Sequence, residues 1–199
     1  MSVTLTIPTN NTWAIDNDAE LGVHQAFDRP EVHALLRPER LLWNASELRE
    51  LVTTVASRFA GELAELTKFE REHRWWARLA LTEGVELWLL TWLPGQGTEP
   101  HDHGGASGAF TTIRGNLHED YRYPRRPVRS RSRAQGSAIG FGAGRAHQLR
   151  NVQLAPAASV HAYSPPLVPT REYASLADIP DSIPPLPAPI VRIKPSEPA

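Results

Sequence analysis

The chain has 199 residues, a net charge of −1 and a hydrophobic fraction of 41 %, which fits one folded domain and gives no bulk field toward nucleic acid or anionic membrane. It contains no cysteine, so disulfides, thiolate ligands and a cysteine nucleophile are excluded, and any metal must be held by His, Asp or Glu. No apolar run reaches the ~18 residues of a membrane span, and the opening MSVTLTIPTNNTW has no basic start followed by an apolar block, so a cytoplasmic protein without a signal peptide is expected.

Residues 1–18, with Pro8, Asn10 and Asn11, read as a loose or lightly docked arm. Residues 19–36 read as partly helical until Pro38 interrupts. The segment NASELRELVTTVASRFAGEL is a clearer helix: Leu48, Leu51, Val52, Val55 and Phe59 fall on one face. Asn44 or Ser46 can cap its start, and Asn44 to Glu47 has capping-box spacing. A third helix is expected from about Thr67 to Trp76. The texture then changes. VELWLLTWLP is apolar on both faces and reads as a buried strand. Further short runs follow between glycines: GAFTTIRG, LHEDYRY, GSAIGFG, HQLRNV and ASVHAYSPP. They predict an antiparallel sandwich or small barrel. After Pro165 the chain is rich in proline and is expected to form no regular helix or sheet. The expected layout is therefore an N-terminal arm and helices over 1–75, a β-barrel over 76–168 and an irregular tail over 169–199, in one structural domain overall.

PGQGTEPHDHGGASGAF holds two histidines one residue apart, His101 and His103. Residues i and i+2 of a strand face the same way, so the two imidazoles can form half of a metal site. The alternative is a pair of exposed histidines in a glycine-rich loop. The surroundings favour the metal. Gly95 stands six residues before His101, and Gly115 stands twelve after His103. A second cluster is Gly136, Gly142, Gly144, His147 and Asn151. Together these resemble the two motifs of the cupin superfamily. The resemblance implies a mainly β fold with N-terminal helices, whose domain is a small antiparallel β-barrel of jelly-roll type. Two positions depart from the pattern: Gly142 stands where proline is usual, and Gly108 stands where the carboxylate ligand would be. His101, His103 and His147 would then form a neutral three-histidine site, with imidazole replacing the carboxylate of a facial triad.

The resemblance narrows to the cysteine dioxygenase branch of the thiol dioxygenases. HDHGGASGAF…IRGNLHE resembles the first metal motif, AHQLRNV the third-histidine motif, and SVHAYSPP the Ser-x-His-x-Tyr relay with its Ser-Pro-Pro. It implies Fe(II) as cofactor, dioxygen and a small thiol as substrates, and Ser159, His161 and Tyr163 as a proton relay. Strand alternation lets all three relay residues face the interior; the alternative is a polar edge strand. It also implies an arginine for the substrate carboxylate. Arg78, beside Trp76, is the nearest match, with Arg74 and Arg71 as alternatives. Trp76 is the tryptophan best placed to line a substrate pocket. The resemblance implies oxidation of L-cysteine to cysteine sulfinic acid. A dioxygenase for 3-mercaptopropionate and a non-enzymatic ligand-binding cupin stand as alternatives.

No nucleic acid or membrane partner is expected, and the chain is read as a monomer or weak homo-oligomer. YRYPRRPVRSRSR, with Arg122, Arg125, Arg126, Arg129, Arg131 and Arg133, reads as a solvated hairpin, with nucleic-acid contact as the alternative. His24, His33, His73 and His118 have no ligand spacing.

Overall fold

A computed structural model describes residues 21–186. The arm expected over residues 1–18 and the end of the tail, 187–199, lie outside the described residues.

The described chain opens with a short strand β1 (Gly22–Val23), a 3-10 turn and three helices: α1 (Pro30–Leu36), α2 (Ala45–Arg58) and α3 (Ala60–Leu66). Asn44 is the cap of α2. Its side chain accepts from the Ser46 and Glu47 N–H groups, and the Glu47 carboxylate accepts from the Asn44 N–H. Leu48, Leu51, Val52 and Val55 bury one face of α2, each side chain contributing about 1.5–3 kcal/mol of burial. The helical run expected as one piece is two, broken at Phe59.

The helix expected over Thr67–Trp76 is not formed. Helix α3 ends at Leu66, and Thr67 is extended, its hydroxyl donating to the Leu63 carbonyl at 2.6 Å. The charged run that follows has no apolar face to bury. It is instead tied down by Gln96, whose side-chain N–H₂ donates to the Glu70 and His73 carbonyls.

Ten further strands follow: β2 (Trp76–Leu81), β3 (Glu86–Trp92), β4 (His101–Asp102), β5 (Ser107–Arg114), β6 (Asn116–Arg122), β7 (Arg129–Ala134), β8 (Ala138–Phe141), β9 (Ala146–Arg150), β10 (Ala157–Ser164) and β11 (Arg171–Glu172). They form two antiparallel sheets, ordered β1-β2-β3-β10-β5-β8 and β11-β4-β9-β6-β7. This is the mainly β, jelly-roll cupin architecture that the motifs imply.

Strand β3 shows why the sequence is apolar on both faces. Leu87 and Leu89 join α2, α1 and Leu79 in one core, outside the first sheet. Trp88, Leu90 and Trp92 join Phe110, Leu117, Phe141 and Leu149 in a second core, between the sheets. The helices thus cover one face and the opposing sheet covers the other. The candidate site lies in the second layer.

Two expectations for the periphery are refined. The arginine-rich run is a β6–β7 hairpin. Arg122 and Arg133 turn inward, to the Leu176 and Ala177 carbonyls and to Glu119, while Arg125, Arg126, Arg129 and Arg131 are exposed. The tail is not wholly irregular. Arg171 and Glu172 pair with Asp102 and His101, and a 3-10 turn forms at Leu176–Asp178. Proline forbids a long strand, but the stretch Thr170–Asp178 contains none and is free to pair.

Candidate metal centre

Strand β4 places His101, the residue just beyond it is His103, and β9 places His147 directly opposite His101. The three rings lie 4.9–5.2 Å apart between centroids. Their ligand nitrogens all fall within 4.8 Å of one another.

The outer nitrogens orient the inner ones. His101 Nδ1 lies 2.7 Å from the Glu99 carbonyl, which can only accept, so Nδ1 carries the proton and Nε2 is left with its lone pair. His147 Nδ1 donates in the same way to Glu119 Oε1 at 2.9 Å. His147 Nε2 then faces His103 Nε2 at 3.1 Å. Burial holds His101 down to about 3 and His103 well below the usual imidazole range, with their neighbouring imidazoles adding to the effect. Both rings therefore stay neutral at neutral pH, each keeping one N–H and leaving its other nitrogen with a lone pair. Two cis nitrogens on a metal at about 2.0–2.1 Å would stand about 3 Å apart, as His103 and His147 do. The donor set fits a divalent metal, with imidazole selecting among iron, zinc, copper and nickel no further than that.

Glu119 is the candidate site residue that the motif reading passed over. It is fully buried, and its two oxygens accept from His147, from Arg145 at 3.1 and 2.8 Å, and from Arg133 at 2.8 and 2.6 Å. A carboxylate behind a ligand histidine fixes its tautomer and ring plane. The signal was present in parity: Leu117 and Glu119 share the buried face of β6, alternating with the more exposed His118 and Asp120. A carboxylate on the inward register of a strand needs a cationic or donor partner.

Gly108, the position without a carboxylate, is closed by Phe141. A Cβ at Gly108 would lie 2.5 Å from Phe141 Cζ and 2.9 Å from Tyr163 Cδ1. The Phe141 ring also stands 5.5 Å from both His103 and His147. A fourth protein ligand cannot enter there unless this ring leaves.

The relay residues form one chain on β10. Ser159 Oγ lies 2.8 Å from His161 Nε2, and His161 Nδ1 lies 3.0 Å from Tyr163 Oη. Trp92 Nε1–H donates to Ser159 Oγ at 2.9 Å. An indole only donates, so Ser159 Oγ accepts from Trp92, and the acceptor at hand for the buried serine proton is His161 Nε2. His161 then carries its proton on Nδ1 and donates to Tyr163 Oη. This leaves the tyrosine proton free to point away from the chain. The His161 ring is stacked on Phe110 at 5.1 Å, and burial keeps it neutral. Tyr163 lies with its ring 4.5 Å from His103, its hydroxyl pushed upward in pKa by burial and by Glu86.

The arginines separate. Arg74 is buried, its guanidinium 4.5 Å from the Trp92 ring centroid, and its charge acts on His101, His161 and Tyr163. Arg78 stacks on Trp88 at 5.6 Å, and its charge acts on Glu86. Trp76 is 37 % exposed and meets Trp88 edge-on at 5.2 Å. Arg71 is exposed.

Glu86 is buried opposite Tyr163 and accepts from Trp88 Nε1–H at 2.9 Å and Leu167 N–H at 3.1 Å. Burial pushes it up to about 7, against those bonds and Arg78. A carboxyl raised in the folded state destabilises as pH climbs from its unfolded value toward 7, because the native form then holds the extra proton. Glu86→Gln is expected to raise the melting temperature at pH 8, by an amount corresponding to no more than about 3 kcal/mol, and to change it little at pH 5. An equal shift at both pH values would refute this assignment.

A family model described as cysteine dioxygenase type I matches residues 29–175. No curated protein matches the chain. Among solved structures, TT1209 from Thermus thermophilus is 24 % identical, covers 52 % of this chain and 93 % of its own, and has a TM-score of 0.45. A conserved protein with a double-stranded β-helix domain from Klebsiella pneumoniae subsp. pneumoniae is 17 % identical over 57 % and 89 %, with a TM-score of 0.48. An oxalate oxidase in complex with the substrate analogue glycolate is 18 % identical over 53 % and 59 %, at 0.47. The family match spans well over half of the sequence and contains both metal motifs and the relay; the chain belongs to the cysteine dioxygenase type I family.

Proposed function

We propose that the protein is an iron-dependent thiol dioxygenase that converts L-cysteine and dioxygen to cysteine sulfinic acid. The observation that carries this reading is the Tyr163 hydroxyl, delivered by the Ser159–His161 chain beside the three clustered imidazoles. A passive metal-binding cupin has no use for such a chain. His101, His103 and His147 would hold the ferrous ion, which would supply coordination sites for thiolate and dioxygen and the one-electron chemistry that dioxygen requires. The net change is RSH + O₂ → RSO₂H: both oxygen atoms go to sulfur, which gives up four electrons, so no external reductant is consumed.

The chain's own residues bind, orient and handle protons. The His161-bound Tyr163 hydroxyl can donate to an oxygen atom of the reacting group and take the proton back from the same direction. Phe110, Phe141 and Trp92 keep bulk water from the ring faces of His161 and His103. Arg74 is the better partner for a substrate carboxylate, because it is buried and its charge reaches the histidines and Tyr163, while Arg78 lies over Trp88 and its charge reaches Glu86. Trp76 and Arg78 then form the rim. No helix among the described residues is long and apolar enough to cross a membrane.

The test is dioxygen uptake by ferrous-loaded protein with L-cysteine and, in parallel, 3-mercaptopropionate, with products weighed by mass spectrometry. One dioxygen consumed per cysteine, with a product two oxygens heavier, is the expected result. Arg74→Gln should raise KM for cysteine about 10²-fold or more, and Arg78→Gln should act weakly. The reverse order would make Arg78 the clamp. Faster turnover of 3-mercaptopropionate would replace the substrate, and no thiol-dependent uptake by iron-loaded protein would end the dioxygenase reading.

A further inference from the structure

Strand β4 is two residues long, yet it carries His101 and leads directly into His103. One of its edges pairs with β9. The other is held by the tail. Arg171 and Glu172 pair with Asp102 and His101, the Tyr173 N–H donates to the Pro100 carbonyl at 2.8 Å, and the Leu186 N–H donates to the Gly104 carbonyl at 2.7 Å.

Asp102, between the two histidines, is the side chain on which these segments converge. It is 1 % exposed. Its Oδ1 accepts from the Gly104 N–H at 2.6 Å, which fixes the turn after His103. Its Oδ2 accepts from the Tyr173 hydroxyl at 2.5 Å and from Arg171 at 3.3 Å. Arg171 in turn donates to the Pro184 carbonyl at 3.0 Å. The fit is close: Gly104 has φ +59°, and a Cβ there would lie 2.6 Å from the Pro169 carbonyl oxygen and 2.7 Å from Val168 Cγ1. The same tail reaches the strand of the third histidine, where Leu176 and Ile179 pack on Ala146, the neighbour of His147.

We propose that residues 168–186 act as a strap that holds the His101–His103 segment in metal-binding geometry, with Asp102 as the positioning residue that joins strap to ligands. The proposal rests on the reading of the three histidines as a metal site. It does not depend on which thiol is oxidised. A segment with so little strand pairing of its own would otherwise sample many backbone states, and the fraction of time spent in the binding geometry sets the apparent metal affinity.

The test uses full-length protein and Co(II) alone. Tyr173→Phe and Arg171→Gln each remove one bond to Asp102. The readouts are the Co(II) dissociation constant, by competition with a chromogenic chelator, the visible d–d bands of the complex, and the melting temperature of the metal-free protein. The dissociation constant is expected to rise about 10-fold for either variant and further for the pair, with altered d–d bands. Metal affinity and d–d bands like those of the unsubstituted protein, with a lowered metal-free melting temperature, would overturn the proposal: the tail would then stabilise the fold alone. Failure of the unsubstituted protein to take up Co(II) would instead refute the three-histidine site itself, and the strap with it.

Discussion

Replacing Glu119 with alanine is expected to destabilise the fold by about 3–5 kcal/mol and to weaken metal binding by about 10- to 100-fold. Both effects come from one buried carboxylate with three cationic or N–H-bearing neighbours, His147, Arg145 and Arg133. Burial alone would raise its pKa. The His147 bond and charge, then Arg145 and Arg133, more than offset this and hold it at about 2. Removing it leaves two guanidinium groups poorly exposed and without their carboxylate, which is the costly half of breaking a buried ion pair. The sign of the pH dependence follows. A lowered carboxylate stabilises above its unfolded value, and that contribution is lost as pH falls from about 4.5 toward 2. Glu119→Gln keeps the shape but presents an N–H₂ either to guanidinium groups that can only donate or to a His147 Nδ1 that must then accept, which moves the His147 proton to the metal-facing Nε2. It should fold better than the alanine variant and still bind metal poorly. Urea unfolding of the metal-free proteins and a Co(II) titration check both parts. A glutamine variant with the affinity of the unsubstituted protein would show that packing alone orients His147.

Tyr163→Phe is expected to lower the turnover number by about 10²- to 10⁴-fold and to leave metal affinity unchanged. The hydroxyl touches no candidate ligand nitrogen; it ends the chain that begins at Trp92 and runs through Ser159 and His161. Losing it strands the His161 Nδ1–H in a buried site, at a cost of about 1–3 kcal/mol in stability. The ring stays, so its contact with His103 is kept. Single-turnover rates with ferrous-loaded protein, alongside a metal titration, separate the two effects. Turnover within about threefold of the unsubstituted protein would remove Tyr163 from the chemistry and leave the chain a structural hydrogen-bond ladder.

The parts of this fold legible in sequence were those governed by short-range periodicity. The α2 face, the capping box at Asn44, the doubly apolar β3 and the i, i+2, i+4 alignment of the relay all depend on residues a few positions apart. His101 and His103 were legible for the same reason, and His147 through motif spacing. What escaped depends on pairing at long range. Nothing local to Thr67–Trp76 announces that its charged run will lie flat against the turn holding Gln96. Nothing local to Glu119 names His147 as its partner, and nothing local to Gly108 names Phe141 as the ring that fills its place. The proline content of the tail hid a proline-free stretch with two strand residues in it. The burial of Arg74 was hidden as well. Arg74 lies outside any strand, so alternation could not rank it against Arg78.

The neighbours of β4 also set an order in time. Its strand partners lie at residues 146–147 and 171–172, so during vectorial synthesis both histidines leave the ribosome well before either partner does. The helices and the β2–β3 hairpin are built from near neighbours and can form early. The two histidines wait, unpaired on both edges, until nearly all of the barrel has emerged. The metal centre is therefore among the last parts of the molecule to take shape, and a chain released or cleaved before the tail is made would present a largely folded scaffold whose metal strand lacks its second partner.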